Sequence, residues 1–445
     1  MDINLNHLND RSNVEISMQL AVHKAKLANG LTVILREMHH APVTSFWVWY
    51  RVGSRNEIPG ITGVSHWVEH MMFKGSPNFP PGSLDRLVSR EGGRFNAFTW
   101  IDFTAYFETL PADRIDLALR IESDRMTNAI MTEEDVESER TVIISERHMY
   151  ENNPTFQLRE ELLGTAFRVH PYGHETVGDE IDLETMTRDD LYSHYRRYYS
   201  PSNATIVAAG DFDTEKMLAR IEHLFGELVQ GESISEPNRP EPDQRGEKRV
   251  VVRGPGDTTY VIFAFKAPQA THEDFYPLVL LNAAYSGGSS LGLFGGGTTN
   301  KSSRLYKALV ATDLAVAVSG SIAPSIDPYL YTVSAVVRPG RSVEEVETAL
   351  QAQLDRLAED PITQTELDKA IKRAKVQFVM AGESVTGQGQ MLGMAEMIAG
   401  DYHWYEDTLE AISQVSLIDI ERIREKYLRA DSRTIGIYDP NSNGQ

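Results

Sequence analysis

The stretch SHWVEHM at residues 65–71 places His66 and His70 four residues apart, with Glu69 immediately before the second. On a helix such a pair shares one face, so two imidazoles can grip one cation. Glu69 falls at the edge of that face, within reach of a water on the ion and without displacing a histidine. Zinc lowers the pKa of a bound water to about 7, and a nearby carboxylate can take its proton as hydroxide attacks a carbonyl. The bland alternative is an amphipathic helix with incidental histidines. An H-x-x-E-H arrangement is rare by chance in a chain with only 13 histidines.

A catalytic zinc wants three protein ligands and a water. The chain has no cysteine, so the third ligand must be His, Asp or Glu. The segment TEEDVESERTVIISERHMYENNP, 132–154, is the best source. Thr132 followed by Asp135 predicts a capped helix start, and Glu139 and Glu146 then share a face beside Ile143. A carboxylate on the semi-apolar side of a helix needs a partner, which a cation provides. Glu146 is the expected third ligand. Glu139 is expected behind it, orienting a ligand or the base, with a solvated helix charge as its alternative. His39, His40, His148, His170 and His174 read as surface or structural residues.

These groups need a scaffold to hold them. A chain of 445 residues exceeds what one core usually supports, so two domains are expected. The proline- and charge-rich stretch at 231–249 marks an exposed linker between halves of similar length. Each half runs in the same order. Strands at LTVILREM and TSFWVWYRVG, the SHWVEHM helix, a strand pair in RFNAFTWIDFTAYFETL, helices over 113–199 and the strand ATIVAAGDF make the first. The second has strands KRVVVRG and TYVIFAFKAP, a helix FYPLVLLNAAY, strands LAVAVSGSI and LYTVSAVV, helices over 342–383, and a closing strand SRTIGIYD. The fold class is therefore α+β: two homologous α/β-sandwich domains of mixed, largely antiparallel sheet packed by helices, related by duplication. The expected division is a polar extension 1–22, a zinc-bearing domain 23–230, a linker 231–248 and a second domain 249–445 without a metal site. The glycine-rich stretch 285–303 fits no phosphate-loop pattern and reads as a flexible loop.

Charge narrows the partners. The 64 acidic residues outweigh 43 basic ones, for a formal charge of −21, which repels nucleic acid and anionic membranes; general solubility accounts for most of it, with attraction of cationic peptides as the alternative. No apolar run is long enough to span a membrane. The N-terminus lacks a signal pattern, so the sequence as it stands reads as cytoplasmic. A removed targeting segment would allow the periplasm or an organelle.

Taken with E-R-x-V-I-x-x-E at 139–146, the H-x-x-E-H motif resembles the pitrilysin/insulinase family of zinc metallopeptidases, in its short processing-peptidase branch. The resemblance runs through LANGLTVIL, HMMFKGSPNFP, GGRFNAFTWIDFTAYFETLP, HPYGHETVGD and YYSPSNATIVAAGD, and is weaker in the second half. It implies one zinc per chain on His66, His70 and Glu146, with Glu69 as general base. It also implies that Asn96, Ala97, Phe98 and Thr99 lie on a sheet edge that takes up peptide or unfolded protein as an added strand. In the family two half-shells close around the peptide. One chain of this length supplies one half-shell, so the resemblance implies a dimer.

The second half departs from the family pattern. Relatives with a complete site carry S-R-L, then an arginine, then G-L-x-Y; that arginine–tyrosine pair polarises the scissile carbonyl. Here the stretch is SSRLYKALVATDLAVAVSG. Arg304 matches the S-R-L arginine, but the functional positions fall at Val310 (Leu309 with a shifted gap) and Val316. An aliphatic side chain cannot donate to an oxyanion. The expectation is a zinc-bearing subunit of a heterodimer, completed by a related subunit without zinc. A self-sufficient homodimer is the alternative, followed by a non-catalytic scaffold and by a hydrolase of non-peptide substrates.

Overall fold

The computed structural model describes residues 22–234, 239–287 and 301–440. Nearly all of the extension 1–22, part of the linker and most of the glycine-rich stretch lie outside the described residues.

Six strands make the first sheet: β1 (Val22–Lys26), β2 (Thr32–Glu37), β3 (Val43–Tyr50), β4 (Arg94–Thr99), β5 (Thr104–Pro111) and β6 (Ala204–Gly210), in the order β1-β2-β6-β3-β5-β4. The second has β7 (Lys248–Gly254), β8 (Tyr260–Lys266), β9 (Ala315–Ile322), β10 (Leu330–Val337) and β11 (Arg433–Pro440), in the order β7-β11-β8-β10-β9. Both are mixed sheets with a single parallel pair, β2 with β6 and β7 with β11. β4 and β9 end their sheets.

Helices of the first half are α1 (Val64–Met71), α2 (Ser83–Arg90), α3 (Asp116–Asn128), α4 (Glu133–Glu151), α5 (Pro154–Ala166), α6 (Glu180–Thr185), α7 (Arg188–Tyr198) and α8 (Thr214–Phe225). The second half carries α9 (Phe275–Tyr285), α10 (Val343–Glu359), α11 (Gln364–Ala381), α12 (Val385–Ala399), α13 (His403–Gln414) and α14 (Leu417–Tyr427). Helices α2 and α8, the three helices over 385–427 and strand β1 were not foreseen in the sequence.

One face of the first sheet packs under α1, α3, α7 and α8, in a core that includes Phe46, Val48, Trp67, Val68, Leu119 and Ile206. Its other face, with Ile34, Trp47, Trp49 and Val207, is covered by α12 of the second half through Met391, Leu392, Ala395 and Ile398. Gly389 and Gly393 let that helix approach: a Cβ on Gly393 would stand 2.1 Å from the Trp49 ring, and one on Gly389 2.3 Å from Trp47. The exchange is mutual. α5 of the first half lies on the second sheet, packing Leu162, Leu163 and Ala166 against Ala264 and Leu330. Each sheet is thus closed by a helix from the other half, and the linker is pinned as well. Glu241 accepts hydrogen bonds from the backbone N–H groups of Arg168, Val169 and His170 at 2.9–3.1 Å.

Candidate metal and peptide site

Helix α1 is short, and its start is built for strength. Gly63 precedes it at φ 85°, where an added Cβ would stand 2.4 Å from the Val177 carbonyl oxygen. The buried Glu57 carboxylate accepts from the N–H groups of Gly63 and Ser65 at 2.8 and 2.9 Å. These are among the donors a helix start leaves unpaired, and a negative charge suits that end. Val64, Trp67, Val68 and Met71 face the core. His66 and His70 project from the opposite side, 4.8 Å apart between ring centroids.

Helix α4 crosses beside them. Thr132 accepts the Asp135 N–H as the sequence predicted, and the helix buries Val136, Glu139, Ile143 and Arg147. That face delivers Glu146, whose Oε2 lies 3.7 Å from His66 Nε2 and 3.4 Å from His70 Nε2. The three ligand atoms all lie within 4.8 Å of one another. Glu139 Oε1 pairs with His70 Nδ1 at 2.9 Å and Glu139 Oε2 with Lys74. A proton on Nδ1 therefore fixes that ring with Nε2 toward Glu146.

The electrostatics suit a cation. Burial opposes a charge on His70, but Glu139 and Glu146 outweigh it and raise its pKa to about 9. Glu146 is held down to about 2, first by His70 and also by the Tyr150 hydroxyl. His66, desolvated and beside His70, is lowered to about 4 and so keeps a free lone pair. Its Nδ1 is buried with no partner among the described residues. Two neutral-capable imidazoles and one carboxylate converging on a point are the donor set of a three-ligand zinc site. A divalent cation there would take the place of the extra proton on His70.

Glu69 lies beside this cluster and is buried. Burial raises its carboxyl to about 7, against the pull of a hydrogen bond from Thr99 Oγ1 to its Oε2 at 2.7 Å. Thr99 closes the edge strand β4, which runs antiparallel to β5 and among the described residues has no strand on its other side. The cleft between them has a volume of about 440 Å³ and includes His66, Glu69, His70, Asn96–Thr99 and Glu146 in its lining. Within that strand the four residues differ. Asn96 Oδ1 accepts the Ala97 N–H at 2.9 Å, Ala97 is buried, and Phe98 meets Trp47 and Trp49 edge-on. Tyr150, Phe156, Arg159 and Glu175 form the opposite wall, and sequence reasoning missed them. Tyr150 follows Glu146 by one helical turn, so the spacing did carry a signal. Among the other histidines, His39 and His148 are exposed beside the carboxylates of Glu37 and Glu180, and His170 and His174 hydrogen-bond with Asp327 and Glu57.

Residues 32–180 match the insulinase family (peptidase family M16), and 185–374 match the peptidase M16 inactive domain. The chain belongs to the insulinase family. It is 28% identical to the zinc protease PqqE of Helicobacter pylori over 92% of this chain and 90% of the relative. It is 27% identical to an uncharacterized zinc protease of Mycobacterium tuberculosis over 94% and 93%. Among solved structures, a protease from Helicobacter pylori superposes with a TM-score of 0.88 at 27% identity, covering 94% of this chain and 99% of that one. The peptidase M16 inactive domain from Pseudomonas fluorescens shares the fold, with a TM-score of 0.84 at 17% identity over 96% and 99%.

The insulinase-family second half looks different at its corresponding edge. Arg304 is consumed by structure: it pairs with Glu366 at 2.7 Å and donates to the Pro361 carbonyl at 2.9 Å. Val310 ends a π-helical turn (Tyr306–Val310) and packs against the second core. Val316 is 52% exposed on β9. Among the described residues no helix is long and apolar enough to cross a membrane.

Proposed function

We propose that this chain is a zinc-dependent endopeptidase of extended or unfolded peptides, acting as the zinc-bearing subunit of a dimer whose related partner supplies the missing arginine and tyrosine. The reading rests on one juxtaposition: His66, His70 and Glu146 converge beside a buried Glu69, next to the sheet edge formed by β4, unpaired among the described residues. The relatives' shared description as zinc proteases agrees with it.

Zinc held by those three side chains would supply Lewis acidity toward water and the scissile carbonyl. A peptide laid along β4 as an added strand gains backbone hydrogen bonds without a sequence requirement. Thr99 holds Glu69 Oε2, which leaves Oε1 to take the proton of the attacking water and pass it to the leaving amine. Burial helps here, because a carboxyl near 7 holds and releases a proton at neutral pH. Glu139 keeps His70 in one tautomer throughout. Val310 and Val316 offer no donor for the developing oxyanion, which is why a partner is invoked.

The test is metal analysis of the pure chain, with hydrolysis of an unfolded peptide measured alone and after adding a related subunit that lacks the zinc motif. One zinc per chain, weak cleavage alone and strong cleavage with the partner support the proposal. Full activity alone favours the self-sufficient homodimer. Absence of both zinc and cleavage defeats the peptidase reading.

A further inference from the structure

Glu146 has two carboxylate oxygens, and they do different things. Oε2 faces His66 Nε2 and His70 Nε2. Oε1 accepts the Tyr150 hydroxyl at 2.7 Å. Tyr150 is itself fixed: its ring stacks on Phe156 of α5, with centroids 5.6 Å apart and planes 23° from parallel. The Arg159 and Arg147 guanidinium groups lie 5.8 and 6.0 Å from the Phe156 ring, and Arg159 grips both oxygens of Glu175 at 2.5 and 2.9 Å. A tyrosine that only satisfied a surface carboxylate would need neither the stack nor the ion pair behind it.

We propose that Tyr150 is a positioning residue for the metal: by occupying Glu146 Oε1 it presents Oε2 alone to the ion. A carboxylate free to rotate can bind through both oxygens and take two coordination positions. Holding one oxygen elsewhere keeps the second position open for water or the substrate carbonyl. The proposal rests on His66, His70 and Glu146 being the ligand set.

Tyr150→Phe removes the hydroxyl and keeps the stack. Its zinc dissociation constant, measured by competition with a chromophoric chelator, should rise about ten- to hundredfold, the usual effect of losing a partner behind a ligand. The cobalt-substituted variant should show weaker visible absorption, as expected for a higher coordination number. Zinc affinity and a cobalt spectrum both equal to those of the parent protein would overturn the proposal. So would a loss confined to Tyr150→Leu, because the stack rather than the hydroxyl would then matter. Glu146→Gln serves as the control for the ligand set. If it keeps zinc at parental affinity, the ligand reading fails and this proposal with it; if it loses zinc while Tyr150→Phe does not, this proposal alone fails.

Discussion

The two halves share one topology and differ in what it carries. Without β1, the first sheet runs β2-β6-β3-β5-β4 and the second β7-β11-β8-β10-β9, each with its parallel pair in the same place. α1 and α9 occupy the same slot between the third position of the sheet and its edge strand. α1 carries His66, Glu69 and His70, whereas α9 reads FYPLVLLNAAY and is nearly all buried and apolar. The helix that carries Glu146 repeats the lesson. α4 and α11 are each capped by a threonine, and their buried positions follow the same spacing: Val136, Glu139, Ile143 and Arg147 against Leu367, Ala370, Ala374 and Phe378. Ala370 stands where Glu139 does, and Gln377 where Glu146 does. The fold therefore does not need these polar groups. Burying Glu69 and leaving His66 Nδ1 unpartnered both cost stability, and the second half shows what the slot contains when no chemistry is required of it.

The largest expected effect tests that contrast directly. Glu69→Gln should cut peptide hydrolysis by roughly 10²–10⁴-fold with zinc content unchanged, whereas His70→Ala or Glu146→Ala should lose metal and activity together. Loss of zinc in Glu69→Gln would mean that the base and ligand roles are misassigned.

The exchanged helices give the next test. Gly393→Ala on α12 drives a methyl into the buried Trp49 ring, for a net destabilisation of about 1–3 kcal/mol despite the helix propensity gained. Gly164→Ala on α5 meets nothing closer than 3.8 Å and should be neutral or stabilising by up to about 1 kcal/mol. Denaturant melts of the pair check both.

Val310→Arg on the π-helical turn with Val316→Tyr on β9 would restore to the second half the donors that the partner is held to supply. About a tenfold rise in partner-free cleavage, worth about 1.4 kcal/mol in the transition state, is the expected result, and no change would weaken the heterodimer reading.

A further test lies where the halves meet. Lys266 of β8 sits over the Phe167 ring with its Nζ buried and unpartnered among the described residues. Burial lowers its pKa from 10.5 to about 7. Between those values the unfolded chain binds the extra proton, so stability rises with pH through that window and the full cost is felt below about 7. Lys266→Met should therefore gain on the order of 1–2 kcal/mol near pH 6, the cation–π contact offsetting part of the burial cost. That advantage should shrink toward pH 10.5, as melts across pH would reveal.

The zinc motif and the fold class were legible because each is local: helical spacing for His66, His70, Glu139 and Glu146, and period-two apolar runs for the strands. What the sequence hid was set by distant contacts. The α12 stretch VTGQGQMLGMAEMIA holds three glycines and reads as a poor helix. Its glycines make sense only once Trp47 and Trp49 lie beneath them. Glu57 looks like a loop charge until its carboxylate is seen capping α1. Thr99 was read as a substrate contact, yet its hydroxyl is also spent on Glu69. Spacing alone cannot show that Tyr150 and Glu146 make a bond across one turn, although it permits it.

The swap of α5 and α12 makes the chain behave as an interlocked pair rather than as two beads on a string. Severing the backbone between residues 234 and 239 would leave each fragment with one sheet face stripped of its cover, and Trp47 and Trp49 bare in one of them. Such fragments should be aggregation-prone alone and should recombine when refolded together, as in split-protein complementation. The cluster of His66, Glu69, His70 and Glu146 on α1 and α4 then depends on a helix contributed from nearly the other end of the polypeptide, and unfolding of either half should carry the other with it.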